Sequence, residues 1–138
     1  MNGKYLKIRE LFDLALQHYK KNNFLSAEKL YKEILEMNVN NVPTFNNFGN
    51  ILKELKKYKE AIFYYEKALK INPQDIVTNY NFGLLFNKLE EFQKSASFYE
   101  KIIKIDPKHI QSYNALMDIY EKTNYKYLSN LKTLDKKV

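Results

Sequence analysis

Catalysis or metal binding needs titratable or ligating side chains that converge, and this 138-residue sequence is sparing with them: two His, no Cys and sixteen Asp plus Glu. Without Cys there is no thiolate ligand, no Cys nucleophile and no disulfide framework. His18 falls on the same apolar stripe as Leu11, Leu14 and Ala15, the place of a satisfied core histidine, and His109 stands at a junction just after Pro107, where it reads as solvated. There is no HExxH, no Gly-rich phosphate loop and no Ser-centred nucleophile motif. Glu90 and Glu91 read as turn or surface carboxylates. No catalytic constellation assembles, so neither an enzymatic activity nor a metal nor a cofactor is expected.

What remains is recognition without covalent chemistry. The formal charge is +7, which attracts nucleic acid, acidic lipid or an acidic protein segment. Heavy use of Lys, Asn, Ile and Tyr beside scarce Gly, Pro and Arg is also what AT-rich coding DNA produces. The Lys residues are spread along the chain, with only Lys136-Lys137 gathered in the tail. Nucleic acid is therefore not the expected partner. The stretch from Met1 to Lys20 carries Lys4, Lys7, Arg9, Glu10 and Asp13 among its apolar residues, which excludes the apolar core of a signal peptide there. No run reaches membrane-spanning length, and a cytoplasmic protein is the expectation.

The elements that must position any binding residues show in a period of 34. Gly49 and Gly83, Pro73 and Pro107, and Tyr31, Tyr65 and Tyr99 are each separated by that step, and Ala27, Ala61, Ser95 and Ser129 keep the register. Such a period marks a repeat architecture. Within it Phe45, Phe48, Gly49 and Leu52 recur at i, i+3, i+4 and i+7, one stripe of a helix. A polar link around Lys56 and Lys57 follows. Tyr58, Ala61, Ile62, Tyr65, Ala68 and Leu69 then mark a second helix, stopped at Asn72-Pro73 because Pro cannot continue it. Phe82, Gly83, Phe86 and Leu89, then Phe92, Ala96, Tyr99, Ile102 and Ile103 up to Asp106-Pro107, repeat the plan. Asp75 is placed to cap the helix that begins near Ile76. With 45% hydrophobic residues, three Gly and three Pro, the composition agrees with long helices around a continuous core.

These residues resemble the tetratricopeptide repeat family. Phe45, Phe48-Gly49, Leu52, Ala61, Tyr65, Ala68 and Pro73 stand at its characteristic places. Phe82-Gly83, Phe86, Ser95, Tyr99, Ile102 and Pro107 do so again, with Asn79 where a bulky apolar residue is usual. Leu11, Leu14-Ala15, Ala27, Tyr31 and Ile34 form a weaker first unit, in which His18 takes an aromatic place and Val39 replaces Pro. Tyr113, Leu116 and Tyr120 open a fourth, in which Met117 sits where Gly is expected. The resemblance implies one all-α domain over 1–138, a right-handed superhelix of antiparallel helix pairs. Its repeats lie at about 8–41, 42–75 and 76–109, with a partial repeat or cap at 110–138. There, Leu128, Leu131 and Leu134 would lie on a short helix covering the last apolar face.

The resemblance also places function on the concave side, lined by the first helix of each pair. The residues implied are Arg9, Phe12, Asp13 and Leu16, then Asn46, Asn47 and Asn50, then Tyr80, Asn81 and Leu84, then Asn114 and Asp118. An Asn amide both donates and accepts, and so can match one peptide unit. Asn47 and Asn81, one period apart, resemble two rungs of the Asn ladder with which some members, including O-linked N-acetylglucosaminyltransferases, hold peptide backbone. The clamp that other members use for the acidic C-termini of Hsp70 and Hsp90 needs Lys and Arg where this chain has Phe12, Leu16, Asn47, Val77 and Asn81; moved by one repeat, the places hold Asn46, Asn50, Asn81, Gln111 and Ala115. Neither register supports it. The expected function is a protein-binding adaptor that takes an extended or helical segment, an acidic one included. The alternative is a scaffold subunit packing through its outer face or ends.

Overall fold

The computed structural model describes residues 2–135, with side chains over residues 3–124. Among the described residues all regular structure is helical: α1 (Asn2–Lys20), α2 (Phe24–Glu36), α3 (Val42–Glu54), α4 (Tyr58–Ile71), α5 (Ile76–Lys88), α6 (Phe92–Ile105) and α7 (Ile110–Asp135). The chain divides into two compact units, Met1–Thr78 and Asn79–Val138.

In the first unit the apolar stripes read from the sequence meet one another. Ala15, Ala27, Tyr31, Ile34, Phe45, Phe48, Leu52, Ala61, Tyr65 and Ala68 are all buried. Close packing of α3 on α4 depends on Gly49. A methyl built there would lie 2.5 Å from Tyr65 Cε1 and 2.6 Å from Cδ1, well inside van der Waals contact. Tyr65 fills that space completely, and its phenol donates to Asn50 Oδ1 at 2.5 Å. Tyr64 on the same helix packs edge-on against Phe48, ring centroids 4.6 Å apart. Leu14 departs from its expected stripe and is exposed. One charged group is buried here: Glu28 on α2 accepts from Lys57 Nζ at 2.7 Å and pairs with Lys32 at 3.8 Å.

In the second unit Phe82, Phe86 and Phe98 stack nearly parallel, Phe82 and Phe98 at 4.6 Å. A methyl on Gly83 would lie 2.6 Å from Tyr99 Cζ. Ser95, at the place Ala61 holds one period earlier, donates its hydroxyl to the Gly83 carbonyl at 2.7 Å, so its polar group is satisfied inside the core. Asn79, at the place of Phe45, is fully buried, and Tyr80 packs edge-on beside Tyr99 at 5.4 Å.

The turns follow the same period. Asn22, Lys56 and Glu90 have φ of 59, 60 and 59°. The next amide in each case reaches back across the turn: Asn23 N to His18 O at 2.8 Å, Lys57 N to Leu52 O at 2.8 Å and Glu91 N to Phe86 O at 2.9 Å. These bonds satisfy carbonyls that a helix end otherwise leaves open. At the other end of each pair, Asn41 Oδ1 accepts from Thr44 N (2.9 Å) and Asp75 Oδ2 from Thr78 N (2.9 Å), so Asp75 caps α5 as expected. His109 holds the same place before α7, its Nδ1 3.3 Å from Ser112 N and 2.8 Å from Ser112 Oγ. It is a half-buried cap, not the solvated residue expected.

α7 also differs from expectation. No turn follows its first half, and the backbone is helical from Ile110 through Asp135. The expected apolar cover by Leu128, Leu131 and Leu134 concerns side chains outside the described residues.

Two measurements test this packing. Gly49→Ala gains about 1 kcal/mol in helix propensity but overpacks a ring fixed on both sides, which costs about 1–3 kcal/mol. We expect a net loss of about 1 kcal/mol in urea unfolding followed by circular dichroism; equal or greater stability would show that Tyr65 has room to move. The second test is alkaline. Burial pushes the Tyr65 and Tyr99 phenols well above their ordinary value of 10.0. Above that pH the unfolded chain holds fewer protons than the folded one, so stability falls as pH rises; below it these groups contribute no slope. The urea midpoint should decline above about pH 10, and less steeply in the Tyr65→Phe/Tyr99→Phe double variant. Identical slopes would exclude the two phenols as the cause.

Candidate functional site

Phe12, Asp13, Leu16 and Tyr19 recur along α1 at helical spacing and so share one face, while Asn47, Asn50 and Ile51 do the same on α3. In the first unit these faces line one cavity of about 220 Å³, with Ala15 and the Tyr31 side chain of α2 completing it. Its two sides differ in chemistry. The α1 side presents Phe12, Leu16 and Tyr19, with Leu16 50% exposed and Asp13 at the surface. The α3 side presents two amides.

Each amide lies against a core tyrosine. Asn50 Oδ1 receives the Tyr65 phenol, which directs Nδ2 as the remaining donor. Asn47 lies beside the Tyr31 phenol, which burial raises above its ordinary value and the amide partly lowers, and its Oδ1 accepts from Asn46 Nδ2 at 3.5 Å. Tyr31 is held in turn by Phe12, edge-on at 5.6 Å, and by Phe48, stacked at 5.9 Å. Burial, and then the charge of Glu54, raise the Tyr19 phenol, so it stays neutral near neutral pH.

Of the twelve residues implied by the resemblance, Phe12, Asp13, Leu16, Asn47 and Asn50 come together here. Arg9 is exposed one turn before Asp13. Asn46 does not face the groove: it is 5% exposed, inside the core, because one residue along a helix turns a side chain by about 100°. In the second unit Leu84 and Asn114 are exposed and Asn81 is half-buried. Asp118 is exposed and pairs with Lys122 at 2.8 Å. Tyr80 is half-buried between the Tyr99 and His109 rings. Tyr19 and Tyr31 were missed. Tyr19 stands at i+7 from Phe12 and i+3 from Leu16, a signal present in the sequence; that the Tyr31 phenol reaches across to α3 was not. His18 was expected to be satisfied, but its buried Nδ1 has no hydrogen-bond partner.

Among the described residues no three His, Asp or Glu are grouped to hold a metal ion, and no helix is long and apolar enough to cross a membrane.

Comparison with curated proteins finds no match. Family models described as tetratricopeptide repeat match residues 42–75 and 77–109. Among solved structures, MamA is similar at TM-score 0.77 and 21% identity, over 94% of this chain and 80% of that one. The first tetratricopeptide domain of Spaghetti (RPAP3), bound to the HSP90 peptide SRMEEVD, is similar at 0.77 and 18%, over 86% of this chain and 94% of that one. The Arabidopsis OM64 tetratricopeptide domain gives 0.78 and 16%, over 86% and 98%. At these identities the structural likeness is one of fold, and it agrees with the helix pairs, the Gly–Tyr contacts and the matched repeats: the chain is an all-α solenoid protein of the tetratricopeptide repeat family.

Proposed function

We propose that this chain is a protein-binding module that takes an extended or helical segment of a partner into the groove between α1 and α3. The observation that carries this reading is a cavity with an apolar wall of Phe12, Leu16 and Tyr19 opposite two amides, Asn47 and Asn50, the second held by the Tyr65 phenol. At about 220 Å³ it is smaller than the roughly 300–1,000 Å³ typical of small-molecule sites, and its size suits one side chain of a longer ligand. Burying such a side chain is worth about 1.5–3 kcal/mol, whereas one hydrogen bond nets about 0.5–1.5 kcal/mol. The pocket therefore supplies most of the affinity, and the amides fix the register of the bound backbone.

The RPAP3 domain holds an HSP90 peptide. In this chain the groove carries the Asp13 carboxylate, and neither Lys nor Arg is among the residues lining it. An acidic chain terminus would find no charge-assisted partner there. A second reading, a scaffold subunit that packs through its outer face or ends, draws on the exposed apolar side chains of α7. A nucleic-acid reading loses support because Tyr31, Tyr65 and Tyr99 are buried and cannot stack on bases.

The groove is tested with peptides selected on the whole chain from a random display library, their affinities measured by fluorescence anisotropy. Leu16→Glu should weaken binding by about tenfold or more and Asn47→Ala by several-fold, both with unchanged circular dichroism, while Leu84→Glu has no effect. Affinities indifferent to Leu16 and Asn47 would remove the groove from the function. The peptide SRMEEVD should show no saturable binding up to about 1 mM; micromolar binding would mean that cations elsewhere do the work of the missing clamp.

A further inference from the structure

Within the first unit the groove does not end at Phe12. That ring also lines a second cavity of about 610 Å³, bounded by Lys4, Tyr5 and Ile8 of α1 and by Met37, Val39 and Asn41 of the link between α2 and α3. Early residues of α1 thus face the residues just before α3, and later residues of α1 face the middle of α3. The two cavities succeed one another along a single seam. Tyr5, Ile8, Phe12, Leu16 and Tyr19 recur at steps of three or four, one stripe of α1. At about 1.5 Å per residue the stripe runs roughly 21 Å. Tyr5 is 68% and Leu16 50% exposed, so it is open at both cavities.

The polar groups along the seam select the backbone of its occupant. Asn41 Oδ1 is taken by Thr44, accepting from N at 2.9 Å and from Oγ1 at 2.7 Å, and Asn50 Oδ1 is taken by Tyr65. Each amide keeps Nδ2 as a donor, and each lines one of the cavities. A helix spends its carbonyls on its own amides, whereas an extended chain offers carbonyls along its whole length. Side-chain spacing follows from the same geometry. Ile8 lines one cavity and Leu16 the other, eight residues or about 12 Å apart along α1. An extended chain advances about 3.3 Å per residue and returns a side chain to the same face at every second one. The even step nearest that distance is four residues, about 13 Å.

Charge gives the two ends different partners. Lys4 is the one charged residue lining the second cavity and Asp13 the one lining the first; Arg9 lines neither. Both are exposed, and neither belongs to an ion pair among the described residues. A carboxylate beside Lys4 and a cation beside Asp13 are complementary, and the reverse order sets like charges together at both ends.

We propose, resting on the groove reading above, that the seam binds an extended segment of a partner protein carrying two apolar residues four apart. An acidic residue flanks the one seated at Ile8, and a basic residue flanks the one seated at Leu16.

The test is a peptide display library screened on the whole chain, its members carrying two Leu at spacings of two to six among random residues. Selection should enrich the spacing of four, with Asp or Glu beside one Leu and Lys or Arg beside the other. Fluorescence anisotropy then measures the enriched peptides, in which a Pro midway between the two Leu should leave binding intact, as a helix would not allow. Tyr5→Ser should weaken binding by about fivefold or more with unchanged circular dichroism. Lys4→Glu should weaken it by about two- to fivefold, and a peptide with Lys in place of its acidic flank should recover the loss. Weakening by Leu16→Glu but not by Tyr5→Ser would leave the groove standing and overturn the seam, whereas indifference to both would remove the groove as well. Enrichment of another spacing, abolition by the midway Pro, or indifference to Lys4→Glu would each overturn the proposal.

Discussion

The contact on which the rest depends is a tyrosine ring laid against helical backbone. Gly49 and Gly83 bring no side chain to it, and Tyr65 and Tyr99 occupy the volume that any side chain would need. This sets how closely α3 and α4 approach, and α5 and α6 likewise. It also reaches the proposed groove, because the Tyr65 phenol donates to Asn50 and fixes it. Core packing and the orientation of a groove amide are thus held by the same side chain. The first pair solves the same problem differently: Ala15 replaces the glycine, and Tyr31 is braced between Phe12 and Phe48 beside Asn47.

The period of 34 made the helix pairs, the glycine–tyrosine contacts and the Asp75 cap legible before any coordinate. It says less about neighbours within one turn. Asn46 and Asn47 are adjacent and chemically identical, and only their rotation around α3 decides that one is core and the other lines the cavity. His109 was misread because histidine is not a usual cap, although its register with Asn41 and Asp75, and that of Ser112 with Thr44 and Thr78, carried the signal. Leu14 and Tyr19 were misjudged for a related reason: α1 has the weakest repeat pattern, and its faces are set by which neighbours pack on it. On α7 the helix continues to Asp135 where the earlier pairs turn, a balance that local pattern alone does not fix.

The turns inside the pairs use the left-handed backbone without glycine. For L residues that conformation costs roughly 1–2 kcal/mol, and Asn22, Lys56 and Glu90 all adopt it. It is maintained because each turn returns an amide to a carbonyl at 2.8–2.9 Å and delivers the next helix onto an apolar stripe. Packing, not local preference, holds these turns.

The ion pair between Glu28 and Lys57 carries a consequence for assembly. Identical modules can join in the wrong sequence, since each presents a similar apolar flank. One period further along, the places of Glu28 and Lys57 are held by Ile62 and Glu91. A misthreaded chain that seated α2 against the turn before α6 would bring Glu28 to Glu91 in place of Lys57, two carboxylates offset only by the lysines of their own helices, Lys32 and Lys94, with Glu28 buried. The penalty falls only on the wrong neighbour. A single lysine thereby serves as an address label, telling the first hairpin which of its look-alikes comes next.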